Sequence, residues 1–280
     1  MTRARVWLND GLVEPAAALV SVRDRGFTSG DGVFETIKIV SGEPFALTRH
    51  LVRLANSARL VGLAGPGDDF LRDAIAATLA ANAGVVSPAG RLRITLTAGN
   101  PSSATSVPSR SGGSTLVITA DAQSPHPTSV SVVTVPWRHN DQGPLVGAKT
   151  TSYADNLAVL ESVRSRGADE ALLADTAGRV CEATTANVVL GVDGVLITPT
   201  LATGCLPGVT RALMVEWGLI DERDFPFSEL GAISELLLSS STRNLIPADS
   251  LDGRSLVAPG PLGGAAIAEF ATRAAQSMDP

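Results

Sequence analysis

The sequence predicts an α+β fold of two domains, and three observations carry that prediction. Strand-like runs are joined by tight-turn dipeptides, which implies a largely antiparallel sheet. No internal repeat is present, and the order of helices and strands is not that of a doubly wound parallel sheet. A Ser-Pro-His-Pro-Thr stretch separates two strand-like runs, so the linker is placed at 121–128, between an N-terminal α/β domain, 1–120, and a C-terminal domain, 129–280.

The elements follow in order. Val6-Trp7-Leu8, then Asn9-Asp10-Gly11, then Leu12-Val13 reads as a hairpin, because Asp-Gly between short apolar runs favours a tight turn. Residues 33–40 alternate apolar and polar and close on Ser41-Gly42, a strand and its turn. Thr48 is the expected N-cap of a helix whose Leu51, Leu54, Ala55, Ala58 and Val61 share one face, with Arg49, Arg53 and Asn56 on or beside the other. A second helix is expected over 69–83. Strands follow at 91–98 and 114–120, with a Ser/Pro/Gly-rich loop at 100–113 between them. The second half predicts a strand at 130–135, a loop holding Lys149 and a helix at 155–166. Strands come next at 171–174, 187–192 and 195–198, bounded by turns at Asp175-Thr176-Ala177-Gly178 and Asp193-Gly194. Pro207-Gly208 precedes a helix at 209–217; strands at 236–239 and 245–248 lead to a C-terminal helix.

Composition narrows the function. Hydrophobic residues make up 44% of the 280 against 18% charged, enough for a core and too apolar for wholesale disorder. A net charge of −6 argues against nucleic acid as a partner, because phosphate binding needs a basic footprint. Two cysteines, Cys181 and Cys205, cannot staple so long a chain, and with no leader-like opening the expected compartment is the cytoplasm. No apolar stretch is long enough to cross a bilayer, so no membrane partner is expected. His50, His126 and His139 are too scattered for a metal site. Neither nucleotide loop fingerprint occurs: Gly30-Asp31-Gly32 resembles half of one but leads into a strand. A small-molecule substrate remains.

Of the 22 basic residues only two are lysine, Lys38 and Lys149. A lysine kept in so arginine-rich a chain invites a role that a guanidinium cannot fill, because an amine can lose its proton and attack a carbonyl. Lys38 sits at a polar position of the 33–40 strand and reads as an ordinary polar-face residue. Lys149 lies in the neutral, hydroxyl-rich Gly147-Ala148-Lys149-Thr150-Thr151-Ser152-Tyr153, and this context suits a nucleophile better than a surface cation.

Six ordered segments stand out: Asp24-Arg25-Gly26-Phe27 with Gly30-Asp31-Gly32-Val33-Phe34-Glu35-Thr36; His50-Leu51-Val52-Arg53-Leu54; Lys149 to Asn156; Asp169-Glu170-Ala171; Glu182 to Asn187; and Leu206-Pro207-Gly208-Val209-Thr210-Arg211. Together they resemble the class IV pyridoxal-phosphate enzymes: branched-chain aminotransferases, D-amino acid aminotransferases and 4-amino-4-deoxychorismate lyases. The resemblance covers nearly the whole chain. It implies fold type IV, as in D-amino acid aminotransferase, with the C-terminal domain binding pyridoxal 5'-phosphate at the domain interface, and a homodimer. Lys149 matches the lysine that joins the cofactor and moves protons. Glu182 matches the carboxylate facing the pyridine nitrogen, and Arg53 the arginine that holds the phosphate. Val209 and Thr210 match the backbone N–H groups at a helix start that face the phosphate, and Ser240 or Ser241 a hydroxyl for it. Tyr153 matches a ring-hydroxyl partner, although its spacing from the lysine is one residue shorter than in branched-chain enzymes; Asn187 supports the same region.

The resemblance divides by substrate. Phe34 stands where common D-amino acid aminotransferases carry tyrosine, and Asn100-Pro101-Ser102-Ser103-Ala104-Thr105 lacks their Arg-x-His trap. Thr36 stands where branched-chain enzymes carry glycine and lyases keep threonine. Arg93 corresponds to a basic residue of the lyases, and by alternation it shares a face with Arg91, Thr95 and Thr97. The reading is a 4-amino-4-deoxychorismate lyase giving 4-aminobenzoate and pyruvate for folate biosynthesis, with Phe34, Thr36 and Arg93 binding substrate. The alternative is an aminotransferase acting on D-amino or branched-chain amino acids.

Overall fold

A computed structural model describes residues 4–100 and 113–280, so most of the 100–113 loop, with the segment compared to the Arg-x-His trap, lies outside the described residues. The chain divides into two compact units: Met1–Ser124 with Ala148–Tyr153 and Asp279, and Pro125–Gly147 with Ala154–Met278 and Pro280. The segment carrying Lys149, expected in the C-terminal domain, therefore belongs with the first unit.

In the first unit, β1 (Val6–Leu8), β2 (Gly11–Val13), β3 (Gly32–Val40), β4 (Glu43–Pro44), β5 (Ala89–Thr97) and β6 (Thr115–Ala122) form one antiparallel sheet in the order β2-β1-β6-β5-β3-β4. A short helix, α1 (Arg25–Ser29), is capped by Asp24, whose Oδ1 accepts the Gly26 N–H at 2.7 Å. Three further helices, α2 (Leu47–Leu60), α3 (Asp68–Ala81) and α4 (Ala83–Val86), supply the rest of the core. Alternation decides which side chains enter it. Val33, Ile37 and Ile39 of β3, Leu92, Ile94 and Leu96 of β5, and Leu116 and Ile118 of β6 cluster with Leu51 and Leu54 of α2 and Leu71 and Ile75 of α3. Burial of each such side chain stabilises the unit by about 1.5–3 kcal/mol.

Thr48 is not the N-cap. Ala46, at φ 56°, holds that position, and the acceptor comes from far along the chain: Asp279 Oδ1 takes the Thr48 N–H at 2.9 Å. Nor does Arg53 lie on a solvent face. It is buried with His50, because Glu35 on β3 brings a carboxylate to that side of the helix.

The second unit holds β7 (Val130–Arg138), α5 (Ala154–Arg164), β8 (Glu170–Ala174), β9 (Val180–Ala183), β10 (Asn187–Val192), β11 (Val195–Thr198), α6 (Val209–Glu216), β12 (Asp221–Glu222), β13 (Glu235–Ser240), β14 (Asn244–Leu251), β15 (Arg254–Ser255) and α7 (Pro261–Ala274). Its sheet runs β12-β11-β10-β13-β14-β7-β8-β9, with β15 on β14. The sheet is mixed rather than largely antiparallel. The hairpins pair antiparallel as expected, but β7 lies parallel to both β8 and β14, and β11 to β12. Between β7 and β8 the chain makes the long helix-bearing connection that parallel neighbours require. Strands buried on both sides, such as Asn187–Val192, read as continuous apolar runs and hide their direction from a periodicity argument. Among the described residues no helix is long and apolar enough to cross a membrane.

Candidate active site

In the first unit the Lys149 segment lies along the start of β3. The Phe34 N–H donates to the Lys149 carbonyl at 2.9 Å and the Thr151 N–H to the Gly32 carbonyl at 2.8 Å, with Val33 and Thr150 forming an antiparallel bridge. Ser57 Oγ accepts the Lys149 N–H at 3.0 Å. The hydroxyls of Thr151 and Ser152 both donate to the Gly30 carbonyl, at 2.9 and 3.1 Å. Gly30 has φ 64°, and a Cβ there would meet Ser152 Oγ at 2.5 Å, so this approach requires glycine.

The side chains converge on Phe34. Lys149 Nζ lies 4.4 Å from the ring centroid and the Arg93 guanidinium carbon 3.5 Å, both within cation–π range, and Tyr153 meets the ring edge-on at 5.7 Å. Thr36 pairs with Arg93 in the strand register, and Arg93 Nε donates to Thr95 Oγ1 at 3.3 Å. Burial and the charge of Arg91 lower the Arg93 pKa, yet a guanidinium keeps its proton throughout the physiological range.

The other side of β3 carries a different arrangement. Glu35 receives Arg53 Nε on Oε1 and Arg53 Nη2 on Oε2, each at 2.7 Å, and His50 Nδ1 lies 2.7 Å from Oε2. Burial works against the Glu35 charge, but the charge and hydrogen bonds of Arg53, with those of His50, hold its carboxyl down at about 2. Burial lowers the His50 pKa against the pull of Glu35, and the charges of Arg53 and Lys149 lower it further.

In the second unit Glu182 sits on β9, its Oε2 accepting the Leu206 N–H at 2.9 Å and its Oε1 3.6 Å from His139 Nδ1. Asn187 on β10 donates through Nδ2 to the Leu206 carbonyl at 2.8 Å. Leu206 is thus held on its N–H by one expected site residue and on its carbonyl by another. A Cβ on Gly208 would come within 2.0 Å of Asn187 Oδ1, so only glycine lets the loop pass. Helix α6 starts at the next residue, and no side chain caps it. The N–H groups of Val209 and Thr210 therefore point out of the positive end of a helix without an intrahelical acceptor. Ser240 ends β13, where Arg243 Nε donates to its Oγ at 3.1 Å, and Ser241 follows in the turn. Arg243 is itself held by Glu170, 3.0 Å from its Nη1. Ser239, in register with Asn187, keeps a buried hydroxyl with no hydrogen-bond partner among the described residues.

The expected residues thus fall into two groups, Lys149, Tyr153, Phe34, Thr36 and Arg93 in the first unit and Glu182, Asn187, Val209, Thr210, Ser240 and Ser241 in the second, while Arg53 is bound to Glu35. Sequence reasoning missed His139, Arg243 and the Ser239 hydroxyl, and took Glu35 and His50 only as parts of motifs. No local pattern marks such long-range partners, though His50 and Arg53 at i and i+3 on one helix were a usable signal.

Chemically, the donor set suits a phosphorylated pyridine aldehyde. The first unit has an amine to condense with an aldehyde; the second, by itself, has a carboxylate fixed by a backbone N–H, a helix start for an anion, and a buried hydroxyl with no partner among the described residues. Cys181 and Cys205 are poor candidates for nucleophiles, because burial pushes both thiols up, Cys205 to about 11. Among the described residues no group of three His, Cys, Asp or Glu is placed to hold a metal ion.

Comparison with known proteins gives the same direction. Residues 32–251 match the amino-transferase class IV family. A branched-chain-amino-acid aminotransferase-like protein of Arabidopsis thaliana is 30% identical over 89% of this chain; the chain spans about half the length of that relative, 46%. A bifunctional aminodeoxychorismate lyase / D-amino acid transaminase of Mycobacterium tuberculosis is 30% identical, over 90% of this chain and 92% of its own. Among solved structures, a fold IV-transaminase of Curtobacterium pusillum superposes with a TM-score of 0.85 at 29% identity, covering 96% of this chain and 99% of the other. A hypothetical aminotransferase of Mycobacterium tuberculosis in its PLP-bound form gives 0.83 at 28% identity, covering 97% and 98%. A match over most of the length, with two-domain architecture and a donor set suited to the cofactor, identifies the chain as a member of the amino-transferase class IV family, a pyridoxal-phosphate-dependent enzyme of fold type IV.

Proposed function

We propose that this enzyme is a 4-amino-4-deoxychorismate lyase, which converts its substrate to 4-aminobenzoate and pyruvate for folate synthesis and works as a cytoplasmic homodimer. The observation that carries the reading is Arg93, held on the ring of Phe34 beside Lys149 and opposite Thr36, with no carboxylate partner among the described residues. A guanidinium so placed suits a substrate that brings its own carboxylate to the reacting amine.

Bound pyridoxal phosphate supplies an aldehyde that condenses with the substrate amine and a ring that withdraws electrons from the adjacent carbon. Glu182 would face the pyridine nitrogen and keep it protonated. Val209, Thr210 and Ser240 or Ser241 would hold its phosphate, with any part of Arg53 in this limited to what its pairing with Glu35 through Nε and Nη2 leaves available, while Tyr153 and Asn187 would steady its ring. Lys149 would take the ring proton from the amine-bearing carbon of the substrate onto Nζ. The C–O bond to the enolpyruvyl group breaks with its electron pair, the six-membered ring becomes aromatic, and the departing enolpyruvate takes up a proton to leave as pyruvate.

The test is to supply aminodeoxychorismate with no oxo acid. Equal amounts of pyruvate and 4-aminobenzoate over many turnovers are expected, with D-alanine or a branched-chain amino acid converting the cofactor to its amine form slowly at most. Rapid stoichiometric conversion by either amino acid, reversed by an oxo acid and with no 4-aminobenzoate, overturns the lyase in favour of an aminotransferase. The curated name of the bifunctional Mycobacterium tuberculosis relative supports keeping that alternative in the same experiment.

A further inference from the structure

Beyond Arg93, the same sheet face carries two more cations. In the β3–β5 register Lys38 stands directly opposite Arg91, as Thr36 stands opposite Arg93, so Lys38, Arg91 and Arg93 occupy adjacent positions on one side. Directly paired positions on one face bring Cβ atoms within about 4.5–5.5 Å, and like charges there are destabilising. The compensation on this face is slight. Arg91 reaches Asp121 at 3.7 Å with both groups largely exposed, a pairing worth little. The Lys38 ammonium has no hydrogen-bond or ion-pair partner among the described residues, and Glu43, across from its strand neighbour Val40, forms no ion pair with it. Lys38 is also half-buried, and burial lowers its pKa. A chain that writes nearly all its cations as arginine keeps one of its two lysines here, desolvated and facing another cation.

We propose that Lys38 and Arg91 form a second anion subsite, two strand positions beyond Arg93, so that the enzyme takes small dianions with one carboxylate on Arg93 and the other on Lys38 and Arg91. The proposal rests on and deepens the lyase reading given above, whose substrate carries two carboxylates, and it assigns Lys38 a binding role where the sequence suggested an ordinary polar-face residue. Thr36 and Thr119 flank Arg93 in the register and place hydroxyl-bearing residues on either side of the first anion position. A compact ammonium at the distal position accepts a carboxylate from several directions, whereas the Arg93 fork fixes the first.

The experiment measures binding without turnover, by titration calorimetry of the holoenzyme with isophthalate and with benzoate, two inert acids that differ by one carboxylate. The native protein is expected to bind isophthalate at least tenfold more tightly. Lys38→Gln brings the two affinities within about threefold of each other, and Lys38→Arg retains most of the preference. Arg91→Gln, at an exposed position that leaves the fold intact, lowers the preference by several-fold and provides the check should the Lys38→Gln protein fail to fold. Equal affinities in the native protein, or a preference that survives both Lys38→Gln and Arg91→Gln, overturns the subsite. A Lys38-dependent preference in an enzyme that makes no 4-aminobenzoate rejects the lyase and keeps the subsite, so the two readings fail separately.

Discussion

The two sides of strand β3 treat charge in opposite ways. On the side packed by helices, Glu35 is fully buried, and both its oxygens are met by Arg53 and His50 at hydrogen-bond distance. On the other side, Lys38 with its register partner Arg91, and Arg93 over the ring of Phe34, bring together positive charge with no buried carboxylate in an ion pair among the described residues. Compensated buried charge belongs to the architecture, and its removal is expected to be felt as lost stability. Uncompensated charge at a half-buried surface is a place held for a ligand, and its removal is expected to be felt as lost affinity or rate. One strand, by simple alternation, carries both.

Four variants test that division, in order of expected effect. Lys149→Arg keeps the positive charge over Phe34 but is expected to abolish turnover, because a guanidinium holds its proton and forms no imine. Borohydride reduction of the native protein followed by peptide mapping should place the cofactor on Lys149; label found on Lys38 instead would reverse the roles given to the two lysines. Glu182→Gln is expected to keep the cofactor bound and to cut the rate by roughly 10²-fold or more, since a neutral amide cannot hold the pyridine nitrogen protonated. Full activity in that variant removes Glu182 from the site.

Glu35→Gln should behave otherwise. Breaking a buried ion pair by removing one partner costs about 3–5 kcal/mol, so the melting temperature is expected to fall sharply at pH 7. Because the native carboxyl is held near 2 against an ordinary 4.5, its contribution is present above pH 4.5 and drains away as the pH falls towards 2. That shift corresponds to about 3 kcal/mol. Melting curves between pH 2 and 7 should therefore fall steeply on the acid side for the native protein and more gently for Glu35→Gln; parallel curves would show that Glu35 is not the group responsible. The smallest effect is expected of Arg93→Ala, which should raise KM by roughly 10- to 100-fold while leaving melting temperature and cofactor affinity in place. A variant that unfolds instead would move Arg93 to the structural side of the comparison.

Much of this was legible in the sequence because much of it is local. The Asn9-Asp10-Gly11 hairpin, the alternation over β3 and the helix beginning after Gly208 each follow from a handful of neighbouring residues. What escaped depends on partners far apart in the chain. Thr48 has the chemistry of an N-cap, but Asp279 serves the helix start from 231 residues away. Arg53 looks like a solvent-facing cation until Glu35 is placed beneath it. The direction of β7 relative to β8 and β14 cannot be read from strands whose residues are buried on both sides. For the site, lysine scarcity and a neutral neighbourhood drew attention to Lys149, and the same scarcity applied to Lys38 was set aside because alternation alone gave it a polar position. Its register opposite Arg91 is what changes the reading.

The return of residues 148–153 to the first unit bears on how the gene can be divided. A cut between Ser124 and Pro125, where the chain passes from one unit to the other, yields a leading fragment without the stretch that pairs with Gly32, Val33 and Phe34, and so without the lysine proposed as the nucleophile. The trailing fragment carries Lys149 away from the sheet that positions it. Neither piece is expected to be catalytically self-sufficient, and an insertion or permutation at that junction separates two segments that are neighbours in the folded unit although Phe34 and Lys149 stand 115 positions apart in the chain. Recombination among relatives would therefore conserve function only when the first unit and the Lys149 segment descend from the same parent.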